Sequence, residues 1–418
     1  MKKTSSSKSH VRDKAKDTNN RQSFSLMYGL SVGHGMKHFG QGALLVMSPS
    51  IKATLGLSEV ALGGLFSMQT IASGIANIPA GILSDIYRKR IALILFSSMV
   101  LVALGYLILG ISSWYWMTVS AVTLLGFGTS LWHAPAFGTL AARYPERKGL
   151  ALAAHLSGAQ VGNTISPIII GFLLGGTILG WKFGGWDWQF IAMGLSIPML
   201  ITGLSVLIFF RSAGVEVKEN PSFSVYIIGA KALVTNFRIL GMVFLGACRG
   251  AVHTAFQIFL VLHMKEVLDY SNFAIGLHVA LITLAGIVST PIMGLISDKF
   301  GRKPVITIAM GTMSILIFMF MFFDSGLPMT ILIALLGVFF FSVMPIITAA
   351  TMDQVPAGME GSGTALMFAG LAIIGAISPV FGGFLYEQFL FKGVIVYSTA
   401  IATLGTFLSI ILPMSKKI

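Results

Sequence analysis

The chain contains one cysteine, Cys248, in 418 residues, so no internal disulfide can form and nothing about a redox compartment follows. Charge is almost as scarce. Asp, Glu, Lys and Arg make up 10% of the residues and hydrophobic side chains 55%, where a soluble domain carries about a quarter charged residues. A water-facing surface cannot be assembled from that composition, which excludes a soluble globular protein and leaves lipid as the solvent. Strand-period alternation is missing. So are a nucleophile–base motif and a phosphate-cradling glycine loop, and nothing points to an enzyme or to a cofactor. Acidic residues are the scarcest of the charged set, 15 against 28 Lys and Arg, and every one of them falls in a loop or at the end of an apolar run.

What is present is apolar length. Stretches near the ~20 residues that cross a bilayer recur twelve times, at roughly 25–49, 60–82, 91–110, 115–141, 150–176, 189–210, 238–263, 273–296, 305–323, 329–351, 363–386 and 393–413. They predict an all-α membrane protein whose twelve transmembrane helices form two pseudo-symmetric six-helix bundles. The expected domains are a disordered cytoplasmic tail at 1–22, an N-terminal bundle at 23–212, a cytoplasmic linker at 213–236 with a short surface helix at Ser224–Val234, and a C-terminal bundle at 237–418. The apolar run that follows the basic tail is too long for the core of a signal peptide.

The net charge of +13 invites a nucleic-acid reading, but its distribution argues otherwise. With residues 1–22 inside, 22 of the 28 Lys and Arg fall in inside segments. Only Lys52, Lys182, Lys265 and Lys392 fall outside, and Lys37 and Arg249 lie within spans. This is the skew of an inner-membrane, multi-pass protein with both termini cytoplasmic. The positive balance is topogenic, and no nucleic-acid partner is expected.

The chain also repeats itself. Gly81-Ile-Leu-Ser-Asp85-Ile-Tyr-Arg88-Lys89-Arg90 returns as Gly294-Leu-Ile-Ser-Asp298-Lys-Phe-Gly301-Arg302-Lys303, and Ile165-Ser166-Pro167 returns as Ile377-Ser378-Pro379, offset by about 212 residues. Two similar halves of a membrane chain place a site between them, the architecture of secondary transporters. The repeated block resembles the signature loop between spans two and three of the major facilitator superfamily. The second copy keeps the consensus order of glycine, aspartate, basic, glycine, arginine and basic residues. The first has Ile86 where a basic residue is usual and Arg88 where glycine is usual. The resemblance covers residues 24–413 and implies a rocker-switch transporter gated by Asp85, Arg88 and Arg90 in one half and Asp298, Arg302 and Lys303 in the other. Trp132-His133-Ala-Pro135 in span four, Gln160-Val161-Gly162-Asn163 in span five and His34 in span one are similar to segments of fosmidomycin-resistance-type members. That likeness implies export of a drug by proton exchange.

The residues themselves point to a cargo. Ionisable groups within hydrocarbon mark pathways by default. His34, Lys37, His38 and Gln41 follow an i, i+3, i+4, i+7 spacing that shares one helical face. Arg249, His253 and Gln257 repeat the theme in span seven, with Arg249 one residue from the repeat equivalent of Lys37. Trp132, His133, Gln160 and Asn163 complete the expected solute-binding set, and His34, His133 and His253 are the proton-coupling candidates. No carboxylate sits at mid-span, so Lys37 and Arg249 lack a protein counter-ion and an anionic solute is the simplest partner. Alternatives stand beside this: snorkelling for Lys37, helix-end carbonyls for Arg249, interhelical hydrogen bonding for His38 and His278, packing for Trp132. The pair His34-x3-His38 has metal-ligand spacing, but Lys37 beside it repels a divalent cation, and no metal is expected. The leading expectation is a monomeric transporter of a small organic anion, coupled to protons or a counter-anion and of unsettled direction. Drug or antimetabolite efflux comes second and a transporter-like receptor or sensor third.

Overall fold

The computed structural model describes residues 5–178, 180–213, 233, 235–355 and 360–414. The linker, with its expected helix at 224–234, lies outside the described residues except for 213, 233, 235 and 236. The helices of the first half are α1 (Ser5–Leu55), α2 (Glu59–Ile86), α3 (Ile91–Gly110), α4 (Tyr115–Arg143), α5 (Lys148–Leu174) and α6 (Trp188–Phe209). The second half holds α7 (Phe237–Glu266), α8 (Asn272–Phe300), α9 (Arg302–Met319) and α10 (Gly326–Met352). A last segment, Glu360–Ile411, is broken at Leu390, whose φ of 53° and ψ of −152° no helix admits. It therefore supplies two helices, α11 (360–389) and α12 (391–411), and the described residues reach the expected twelve.

Two features depart from expectation. The helix of span one begins at Ser5, so the described backbone is helical where composition suggested a disordered tail. From Ser5 to Tyr28 there is neither glycine nor proline to break it. Between α5 and α6 a small antiparallel ribbon pairs Gly176–Ile178 with Trp181–Phe183, too short for any alternation to show in the sequence.

Helix starts follow from local chemistry. Ser58, Asn236 and Ser271 cap α2, α7 and α8, each side-chain oxygen accepting from backbone N–H groups of the first turn. The two copies of the repeated loop turn differently. In the second, Gly301 takes φ +94°, a left-handed conformation open to glycine and strained for other residues. The first copy has no glycine there and turns through a 3-10 segment, Arg88–Arg90, instead.

Small residues let α1 and α5 approach closely. Gly158 and Gly162 of α5 lie against the carbonyls of Ser31 and Gly35 of α1, where any Cβ would overlap a backbone oxygen. This is the use expected of a small-xxx-small pair. Between bundles, α2 packs along α11 and α5 along α8. Their cross-bundle bonds gather toward one end. There Lys52 meets Glu266 at 2.8 Å, the Val60 N–H donates to Glu387, and Asn272 and the Phe273 N–H donate to the carbonyls of Leu174 and Gly175. Thr164 and Thr283 meet at 3.0 Å farther along the same seam. At the opposite end, which carries the repeated loops, a Cβ on Gly81, Gly149 or Gly294 would meet nothing within 4 Å. Among the described residues, the cross-bundle bonds thus gather at the end that holds the α1–α2 connection.

Candidate functional site

The polar residues of span one do not all face one way. His34 and His38 turn toward α5. The His34 Nδ1–H donates to the His155 carbonyl at 2.9 Å, and the His38 Nδ1–H to Asn163 Oδ1 at 3.2 Å. Both bonds depend on the close approach that Gly158 and Gly162 allow. Lys37 and Gln41 point instead into the interior of the first bundle, with Gln69, Tyr106 and Thr129. Tyr106 closes that interior by donating to the Gly40 carbonyl.

Lys37 is fully buried. Its Nζ donates to Nε2 of His133 on α4 at 2.7 Å, so the His133 proton sits on Nδ1, which is buried and unpartnered. No carboxylate reaches Lys37 among the described residues. A lysine held only by a neutral ring is an uncompensated charge for as long as it stays protonated.

Around this bond the imidazoles crowd together. His34 lies 4.0 Å from His155, stacked at 13°, and its ring meets those of His38 and His133 edge-on at 4.8 and 5.2 Å. Ligand nitrogens of His34, His38 and His133 all lie within 4.8 Å of one another. Phe137 covers one side of the cluster. On the other side His133 stacks with Phe368 of α11 at 6.2 Å, so the cluster reaches the seam between bundles through that one ring.

Several expected members sit elsewhere. Trp132 is completely buried with its ring against Gly33, a packing position behind the cluster and not a cavity wall. Gln160 is half-buried with Oε1 unpartnered. Arg249 is buried on α7 with Nε unpartnered, and His253 lies between Phe340 and Phe341 at 5.2 and 5.3 Å. Gln257 is half-buried one turn farther along α7. Lys37, the near repeat equivalent of Arg249, opens into its own bundle. The seam-facing member is His133.

Of the gating set, Asp298 and Arg302 pair at 3.0 Å, and Arg302 also bonds Asp353 at 2.8 Å and Ser297 at 3.2 Å. Together they tie the second loop to the end of α10. Lys303 is half-buried beside them, Arg88 half-buried and Arg90 exposed on the short turn of the first loop. The Asp85 side chain lies outside the described residues. Lys52, absent from the expected set, bridges Glu59 at 3.2 Å and Glu266 at 2.8 Å. Burial disfavours its charge, but the bonds and charges of Glu266 and Glu59 outweigh that and raise its pKa above the ordinary lysine value.

His155 was also missed. One signal for it exists: it precedes Asn163 by eight residues on the α5 face that carries Gly158 and Gly162, so all of them look toward α1.

A family model described as Major Facilitator Superfamily matches residues 30–271 and 242–417. A Haemophilus influenzae protein assigned to metabolite transport is 25% identical over 293 residues, 68% of this chain and 70% of its own length. The agnestins efflux protein AgnL12 of Paecilomyces divaricatus is 25% identical over 227 residues, 54% of this chain and 49% of its own length. Among solved structures, a bacterial homologue of the human lysosomal transporter Spinster, inward-facing and unoccupied, superposes with a TM-score of 0.77. It has 12% identity and covers 94% of this chain and 99% of that one.

Proposed function

This chain belongs to the major facilitator superfamily and is a multi-pass membrane transporter, and from that premise we propose that it moves a small organic anion by alternating access, coupled to protons. One observation carries the proposal: Lys37 is fully buried, bonded to His133, and without a carboxylate among the described residues. Arg249, buried in the second bundle with a free Nε–H, supplies a fork suited to carboxylate, phosphate or phosphonate.

The solute site lies in the seam, where His133 and Phe368 meet, with Arg249, His253 and Gln257 contributing from α7. Gln160, Asn163, His34 and His38 support His133 from the first bundle. With both termini on the cytoplasmic side, the end that carries the repeated loops faces inward and the Lys52–Glu266 end faces out. The second loop acts as a gate through Asp298, Arg302 and Lys303, and the first through Asp85, Arg88 and Arg90. A bound anion and a proton shared between Lys37 and the histidines stabilise each other, and by reciprocity they travel together. The accompanying proton matters because an inside-negative potential opposes anion entry by about 2.3 kcal/mol per charge per 100 mV. The protein functions as a monomer.

The similarity to AgnL12 favours a second reading, efflux by proton exchange. Proteoliposomes separate the two. Under an imposed pH gradient, cotransport concentrates the anion on the alkaline side, and exchange concentrates it on the acidic side. Lys37→Gln and Arg249→Gln should each abolish anion transport while expression stays intact. Wild-type transport in both variants refutes the assignment.

A further inference from the structure

Sequence alone argued against a metal here, because Lys37 lies beside His34 and His38. The geometry changes the argument. The Lys37 ammonium is directed at one nitrogen of one histidine, Nε2 of His133, and its own helix face looks into the bundle interior with Gln41 and Gln69. The other two rings are arranged as metal ligands are. A metal-bound histidine normally donates its second N–H to a carbonyl or carboxylate, which fixes the tautomer and aims the remaining lone pair. His34 donates Nδ1–H to the His155 carbonyl and His38 donates Nδ1–H to Asn163 Oδ1, so each presents Nε2 as a lone pair. His34 is 1% exposed, and its Nε2 is buried with no partner. One ring nitrogen of each of His34, His38 and His133, Nδ1 or Nε2, already lies within 4.8 Å of the other two. A tetrahedral ion with ligands at about 2.0–2.1 Å needs them roughly 3.3 Å apart, so the rings must close by up to about 1.5 Å on binding.

We infer that His34, His38 and His133 form a site for a borderline divalent transition metal such as Zn2+, His133 becoming a ligand when Lys37 withdraws toward Gln41. Three neutral imidazoles and a water match the preference of such ions, and the site offers hard cations such as Mg2+ or Ca2+ no oxygen set. Metal and the Lys37–His133 bond exclude each other, so the occupied site inhibits transport. The inference is independent of which solute the protein carries.

The test uses the full, untagged chain in detergent, with Co2+ as a spectroscopic probe and Zn2+ as competitor. One Co2+ per chain with the visible absorption of a tetrahedral site, displaced by Zn2+, is expected. His34→Gln and His38→Gln should each weaken Co2+ binding at least tenfold. Asn163→Leu, which keeps all three imidazoles but unties His38, should weaken it roughly tenfold. Lys37→Met, by contrast, should tighten it, because a competing positive charge is gone. His278 already bonds the Ala274 carbonyl and Thr330, so His278→Ala should change nothing. Absence of the tetrahedral spectrum in the folded wild-type chain overturns the site. So does a spectrum that survives in the His34→Gln/His38→Gln double variant. Loss of anion transport in Lys37→Met alongside tighter Co2+ binding keeps this inference apart from the proposed function, since each can fail without the other.

Discussion

Replacing Glu266 by Gln should loosen the closed end of the transporter by a small, calculable amount. Lys52 of the first bundle holds two carboxylates, Glu59 in its own half and Glu266 in the other, and their side chains are 15%, 21% and 34% exposed. Only the Glu266 contact crosses between bundles. An ion pair with that much water contact contributes about 0.2–1 kcal/mol, so its loss should raise the population open at that end by a factor of about 1.4–5. The other cross-bundle bonds, Val60 to Glu387, Asn272 to Leu174, Phe273 to Gly175 and Thr164 to Thr283, keep the end mostly closed. A reporter is available at Thr283, buried in the seam against Thr164. A single cysteine there, with Cys248 replaced by Ala, should react with a membrane-impermeant maleimide faster in Glu266→Gln than in the parent. Glu59→Gln should leave the rate unchanged or lower, because it breaks no cross-bundle bond and leaves Lys52 to Glu266 alone. Equal acceleration in both variants, or in neither, would show that the pairing has no bearing on closure.

Two other outcomes follow from the same contacts. Gly162→Val places a side chain against the Gly35 carbonyl, so α1 and α5 must part. A loss of about 1–3 kcal/mol should appear as earlier thermal unfolding in detergent, whereas Gly194→Ala, with open space around it, should not unfold earlier. Closure should also depend on alkali. Because the Lys52 value is raised in the folded state, its contribution is complete below the free lysine value of 10.5 and fades as pH climbs through the elevated one. The labelling difference between the parent and Glu266→Gln should therefore hold constant through neutral pH and shrink only above about 10.5, and a difference that vanishes near neutrality would contradict the assignment.

Much of this architecture was legible in the sequence because hydrocarbon imposes strict rules. Twelve apolar runs and a doubled loop gave the helices and the halves. Spacing along one helix was less informative. The i, i+3, i+4, i+7 pattern groups His34, Lys37, His38 and Gln41 within one arc, yet it cannot tell that neighbours divide the arc, α5 taking two residues and the bundle interior the other two. For His155 the sequence offered its face on α5 but not its role, for a related reason. Its role comes from a ring stacked on another helix, and stacking depends on how far α1 and α5 separate, a distance fixed by glycines and not by histidines. The Lys52 bridge was hidden because its partners are far apart in sequence and each reads as an ordinary end-of-helix charge. The break at Leu390 falls in the gap between the apolar runs 363–386 and 393–413, so its place was legible although neither glycine nor proline marks the residue itself.

The unlike turns of the two repeated loops have a consequence for how this chain tolerates change. Gly301 occupies a backbone region that side-chain-bearing residues enter only under strain, while its counterpart at Arg88 turns through geometry open to most residues. Drift is therefore filtered unevenly: one connector has a codon that mutation can hardly touch, and the other can wander in composition while still making its bend.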